Sequence, residues 1–326
     1  MAMATKSDIP ASGRGAEPSA AGALDAGTLE AVRIAKRRDL LVASAGMVVL
    51  VVSMGLLLAL LGDLLVTGLA RINLDFLTSF PSRRPADAGI LSAWVGTILV
   101  MISTAAFAIP VGVAAGLYLE EYAKKGWLST IIEINVSNLA GVPSIIYGLL
   151  ALGLFVYGLN LGKTILVAGL TLGLLILPIV IVSTREAVRS IPAVMKEGAY
   201  GLGADKWQVM WNYIIPAARP GILTGAIVGL SRAIGETAPI ITIGALTFIA
   251  FLPPSPVSTE FPFLNFDWLF EQFTVLPIQM FNWVSRPQAA FHVNAAATGV
   301  VLMALTLSLN GLAIYIRYKL RKQYRN

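Results

Sequence analysis

Few residues in this chain have side chains that do chemistry, and the most telling of them stand where charge is costly. Arg232 and Glu236, in the stretch SRAIGETAPI, interrupt an apolar block that runs from Ile222 to Leu252. Arg232 lies about 18 Å beyond Pro220 at the rise of a helix. Both charges therefore sit well inside any layer the block crosses. Each costs at least about 2.5 to 3.5 kcal/mol there on insertion scales, which keeps it from facing lipid. Four residues apart, they share a helix face and pair. One reading is a static buried ion pair that fixes helix register. The other is a forked guanidinium that meets a tetrahedral oxyanion, with a carboxylate that neutralises it when empty and weakens retention of the anion. Ser144, beside Pro143 in another apolar block, offers a hydroxyl to a permeating anion or to helix packing.

Other chemistries are excluded by composition. Cysteine is absent and His292 is the single histidine, so disulfides, thiolate catalysis and His-cluster metal sites are out of reach. GLNLGKT, from Gly158 to Thr164, has three residues between its glycines where a phosphate-binding loop needs four, and is read as a turn between spans. His292 precedes the last apolar block and is read as a polar interfacial residue. The net charge of +6 lies mainly in tails and loops, where membrane topology rather than nucleic acid accounts for it.

The elements that must position these residues are helices in a bilayer. Hydrophobic residues make up 56% of the 326, and charged ones only 13%, about half of what soluble domains carry. Apolar blocks at 40–61, 91–119, 132–159, 165–182, 222–252 and 295–316 have the length a hydrocarbon core about 30 Å thick requires. Blocks this long exclude barrel strands, so the spans are helical. Six spans return both ends to one side. That side carries eighteen Lys and Arg against five opposite, which places both termini in the cytoplasm. Residues 1–38 read as a disordered cytoplasmic tail, without the apolar core of a cleavable signal, and 39–326 as the transmembrane domain. Two long connections stand out: a cytoplasmic insert over 183–221 and an external loop over 253–294. In the external loop, Trp268, Phe270, Phe273, Phe281 and Trp283 read first as interfacial anchors and second as a docking surface.

Within the insert, 191–216 reads IPAVMKEGAYGLGADKWQVMWNYIIP. Its apolar spacing and Gly201 and Gly203 predict a helix, turn, helix unit, the second helix starting at Ala204 or Asp205 under an aspartate cap. The stretch resembles the EAA loop of binding-protein-dependent ABC importers through Glu197, Ala199, Gly203, Pro216 and, as Ile in place of Leu, Ile215, departing further at Gly198 for Ala and Tyr213 for Ile. The resemblance implies a coupling helix seated on a cytoplasmic ATPase, with Glu197, Gly198, Ala199, Gly203 and Pro216 as its coupling residues. An interfacial amphipathic helix without a partner is the plainer alternative.

Further stretches resemble the phosphate-specific branch of that family. They are Arg232 to Thr237, Gly96 and Thr97, Tyr118 with Glu120 to Tyr122, and GVPSIIYGL from Gly141 to Leu149. NWVSRPQ from Asn282 and FHVNAAA from Phe291 resemble its PstA-type subunit, and the likeness covers most of 90–320. It implies an all-α, six-helix permease of the type I importer (MetI-like) fold in the inner membrane, without catalysis or a bound cofactor of its own. ATP and magnesium would be used by two PstB-type ATPase subunits. A PstC-type second permease, an external PstS-type phosphate-binding protein and inorganic phosphate as substrate complete what is implied. Arg232, Glu236 and Ser144 would line the path. Two rival readings remain: a permease for phosphonate, sulfate or molybdate, and a gradient-driven transporter or channel.

Overall fold

The computed structural model describes residues 26–124, 126–257 and 263–323. The chain divides into two compact units, Met1–Leu61 and Gly62–Asn326. The described part of the first unit is helical: α1 (Ala26–Leu69) begins there and ends in the second. This corrects the tail reading over 26–38, because Ala, Leu, Glu, Arg and Lys dominate from Leu29 and favour helix. Residues 1–25 lie outside the described residues.

The second unit continues with α2 (Leu74–Thr78), capped by the Asn73 side chain, and α3 (Leu91–Leu117), which runs on through a π-helical turn at Tyr118–Tyr122. Next come α4 (Trp127–Leu139) and α5 (Ser144–Ala151), the latter extended by a π-helical stretch, Leu152–Gly158. α6 (Ile165–Arg189) leads into two short helices, α7 (Ala193–Gly201) and α8 (Lys206–Val209). A π-helical turn, Met210–Ile214, joins α8 to α9 (Ile215–Gly235), and α10 (Ala238–Thr242) follows. The external loop contributes α11 (Leu276–Val284) before α12 (Ala289–Gln323) closes the chain.

Among the described residues, five helical stretches are long and apolar enough to cross a membrane: Arg33–Leu69, Leu91–Tyr122, Ile165–Arg189, Lys206–Gly235 and Ala289–Lys319. The shorter apolar helix Ser144–Gly158, preceded by α4, fills the place of the remaining span. The third and fifth apolar blocks are thus not continuous helices. Each is broken, at 140–143 and at 236–237, beside a proline that removes a backbone donor and disfavours helix in the residue before it.

Small residues set how closely the spans approach. Gly112 faces Val180 and Gly116 faces Thr184, while Gly169 faces Ser103 and Gly173 faces Phe107, so numbers rise together and α3 runs parallel to α6. Gly221 meets Ala187 and Gly225 meets Ser183, the descending order of an antiparallel α6–α9 pair. A methyl at any of these six glycines would lie 2.1 to 2.7 Å from its neighbour, so the helix contact requires glycine.

Three apolar clusters divide the interior. A central one joins Val100, Leu172, Ile176, Ala233, Ile240 and Phe273. A second holds Phe76, Ile90, Leu276, Trp283 and Phe291, and a third holds Val188, Ala199, Val209, Met210 and Ala218. Trp268, Phe273 and Trp283 are buried, and only Phe270 and Phe281 of the five external aromatics are exposed, so they form no common surface. Trp283 packs between the rings of Phe76 and Phe291 at 6.1 and 6.3 Å. GLNLGKT is a turn with Asn160 and Gly162 at φ 52° and 71°, and Thr164 caps α6. His292 Nε2 lies 2.8 Å from the Arg286 carbonyl.

Gly96 gives the sharpest packing test. A β-carbon there would stand 2.1 Å from the Thr274 carbonyl oxygen, a backbone atom that cannot rotate away. Gly96→Ala should lower the yield and melting midpoint of the protein in detergent, whereas Gly311→Ala, with nothing within 4 Å, should leave both unchanged.

Candidate functional site

The charged pair stands at the fracture of the fifth span. α9 ends at Gly235, Glu236 is extended with φ −77° and ψ 119°, and α10 starts with Pro239 in its first turn, a position that needs no helical donor. Arg232 occupies the last turn of α9, where a cation complements the negative end of the helix dipole. Its Nε donates to Glu236 Oε1 at 3.3 Å. The pairing read from the sequence therefore forms, but around the helix terminus rather than along a helix face, since Glu236 has already left the helix. No acceptor among the described residues meets the two terminal guanidinium nitrogens. The Arg232 side chain is 42% exposed and that of Glu236 20%. Glu236 borders a void of about 10 Å³ shared with Thr97, Ile240 and Pro277, no more than one water needs. The carboxylate thus leans on packed helices while the free edge of the guanidinium reaches the chain surface.

The broken third span packs onto this fracture. Pro143, with ψ 134°, precedes Ser144, the first residue of α5. Tyr147 donates its hydroxyl to the Leu139 carbonyl at 2.7 Å, satisfying an acceptor at the end of α4 across the break. A β-carbon on Gly148 would fall 1.7 Å from Thr242 Oγ1 and 2.7 Å from Pro239 Cα, so α5 presses directly on α10. Ser144 sits one turn before Tyr147, half-buried, and makes no hydrogen bond with Arg232 or Glu236 among the described residues. Tyr147, Gly148 and Thr242 escaped the sequence reading. The Pro143 and Pro239 breaks were the available signal, and span-length hydropathy hides such breaks.

On the other side of the bundle, α7 and α8 form the helix, turn, helix unit read from the sequence. Gly203 has φ +85°, a conformation that side chains resist. Asp205 caps α8 reciprocally: its Oδ1 accepts the Gln208 N–H at 2.7 Å, and Gln208 Oε1 accepts the Asp205 N–H at 3.0 Å. Ala199 is buried in the cluster with Val188, Val209 and Ala218, and Pro216 lies half-buried in the first turn of α9. Glu197 is exposed and makes no ion pair among the described residues, and Gly198 is exposed with open space around its Cα. Around them Val194, Met195, Leu202 and Trp207 are all more than half exposed, an apolar patch of the kind found at interaction sites.

Charged side chains tie this unit to the spans. Lys196 of α7 pairs with Glu121. Arg189 binds both carboxylate oxygens of Glu120 at 3.1 Å. Arg185 reaches Glu120 at 3.4 Å and Glu133 of α4 at 2.9 Å.

With the geometry in place, likeness to known proteins is informative. Residues 108–322 match the family described as binding-protein-dependent transport system inner membrane component. The chain is 32% identical over 238 residues to the phosphate transport system permease protein PstA of Yersinia pestis, covering 72% of this chain and 74% of that one. It is 30% identical over 255 residues to PstA of Xylella fastidiosa, covering 78% and 84%. It is 29% identical over 259 residues to the probable ABC transporter permease protein YqgI of Bacillus subtilis, covering 78% and 87%. Among solved structures, a chain of the inward-facing MetNI methionine ABC transporter superposes with a TM-score of 0.53 at 16% identity, over 71% of this chain and 95% of its own, a likeness of fold.

The Tyr147 bond across the α4–α5 break is open to test. Tyr147→Phe removes one of the two donors to the Leu139 carbonyl, leaving the Val142 N–H at 3.2 Å, and should cost up to about 1 kcal/mol, read as a melting midpoint a few degrees lower in detergent. Tyr157→Phe, at an exposed ring, should shift nothing.

Proposed function

The chain belongs to the family of binding-protein-dependent transport system inner membrane components, and we propose that it is one of two membrane-spanning subunits of an ATP-driven importer of inorganic phosphate. The observation that carries this reading is Arg232: a guanidinium held at one corner by Glu236, with its forked donors open, at a helix break that brings polar backbone into the depth of a span. Irregular backbone at membrane depth is tolerated where it lines a cavity or is buried in protein, and an exposed charge there is costly against lipid. A second subunit of like fold, of the PstC type, would supply the facing wall. The names of the Yersinia and Xylella relatives support phosphate as the cargo.

The mechanism follows from the parts. Phosphate, released by an external PstS-type binding protein, meets Arg232 between the two permeases. Two donors of the guanidinium face two phosphate oxygens. Glu236 competes for the same cation, so the anion is held firmly enough to enter and loosely enough to leave. Ser144, at the start of α5, contributes a hydroxyl to the wall. On the cytoplasmic side, where both termini also lie, the apolar patch around Glu197 sits in a groove of a PstB-type ATPase. Hydrolysis by two such subunits moves α7 and α8, whose Gly203 turn and capped α8 make them a stiff unit, and the spans alternate between outward and inward access.

Uptake, anion competition and copurification all bear on this. Arg232→Ala should lower uptake of labelled phosphate at least a hundredfold while the complex still assembles, and Arg232→Lys, which keeps the charge without the fork, should lose at least tenfold. Sulfate and molybdate in excess should not compete, and competition by either would shift the assignment to that anion. Glu197→Lys should separate the ATPase from the permease on copurification. Uptake that survives ATP depletion would instead make the chain a gradient-driven carrier.

A further inference from the structure

Glu120 and Glu121 are adjacent in the π-helical turn that ends α3, and neighbours on a helix point about 100° apart. They therefore serve different partners. Glu120 turns to α6, where Arg185 and Arg189 hold it, and Arg185 extends the cluster to Glu133 on α4. Glu121 turns instead to α7 and pairs with Lys196, 75 positions along the chain. The side chains of Glu120, Glu121, Arg185 and Lys196 are 16, 13, 12 and 21% exposed. Charges so far removed from water are not surface decoration, and removing one strands its partner. The rest of α7 contacts the bundle through apolar packing, with Ala199 in the cluster at the base of α6 and α9. Among the described residues Lys196 makes the one ion pair from α7 to a membrane span.

We propose that the Lys196–Glu121 pair is the joint that passes movement of α7 into α3, with Glu120, Arg185 and Arg189 holding the same end of α3 to α6. Apolar side chains let one helix slide over another, whereas a desolvated ion pair resists separation. The joint sits in a π-helical turn, a backbone form that recurs at functional sites. α3 runs parallel to α6 along glycine contacts. A pull on Glu121 is thus delivered to two spans that move as one. Lys196 and Glu121 are positioning residues, and neither touches the anion.

The inference rests on α7 being the coupling helix, and charge exchange in the full complex separates the two ideas. Lys196→Glu and Glu121→Lys, singly, should each cut phosphate uptake at least tenfold while the ATPase still copurifies and still hydrolyses ATP. The double exchange should return uptake to within threefold of wild type. Should either reversed variant fail to accumulate, Lys196→Met and Glu121→Gln, which delete the charge without reversing it, should show the same uncoupled hydrolysis. Singles that transport within threefold of wild type, or an assembled double exchange as inactive as its parents, would overturn the joint. If Glu197→Lys leaves the ATPase attached, the coupling reading itself fails. If attachment depends on Glu197 and the exchange does not rescue, the joint alone is lost.

Discussion

Everything in this fold answers to a solvent that cannot hydrogen-bond. In hydrocarbon a helix may stop only where its loose backbone groups and charges find partners inside protein or in water. The chain stops two helices at depth, and each stop is compensated. Leu139 offers its carbonyl to Tyr147, and Glu236 folds back upon Arg232. The two stops are pressed together through Gly148 against Pro239 and Thr242. From this junction follow the close glycine contacts, because short, broken elements must be held by neighbours rather than by their own length.

Much of this is legible in the residue order, and the failures have a common cause. Span positions follow from hydropathy because burial in lipid depends on local composition, and the Asp205 cap follows because its partner is three residues away. Pro143 and Pro239 announce a kink in the third and fifth spans but not a full stop, since GVPS and GETAP are apolar enough to pass as span. The aromatics of the external loop were misjudged for another reason: Trp283 is buried by Phe76 and Phe291, and Phe76 comes from far upstream in the chain. Residues 26–38 read as tail for want of an apolar period, yet Ala and charged residues with long side chains are good helix formers.

The candidate site divides along the same line. Arg232 and Glu236 were conspicuous because charge is rare in such a block. Ser144 was found by its neighbourhood, but the structure gives its hydroxyl no bond to the charged pair. Tyr147 and Thr242 are polar residues with no local peculiarity, and only the packing of α5 on α10 gives them meaning. The pairs joining Glu120 and Glu121 to Arg185, Arg189 and Lys196 span 65 to 75 positions, beyond any spacing rule.

The open edge of Arg232 also bears on how such a protein is made. A copy that reaches the bilayer before a companion holds a half-exposed guanidinium where only hydrocarbon is on offer. It has to tilt, thin the membrane around it or draw in water until a neighbour arrives. In the proposed pair, the lone subunit is therefore a less stable resident of the membrane than the assembled one.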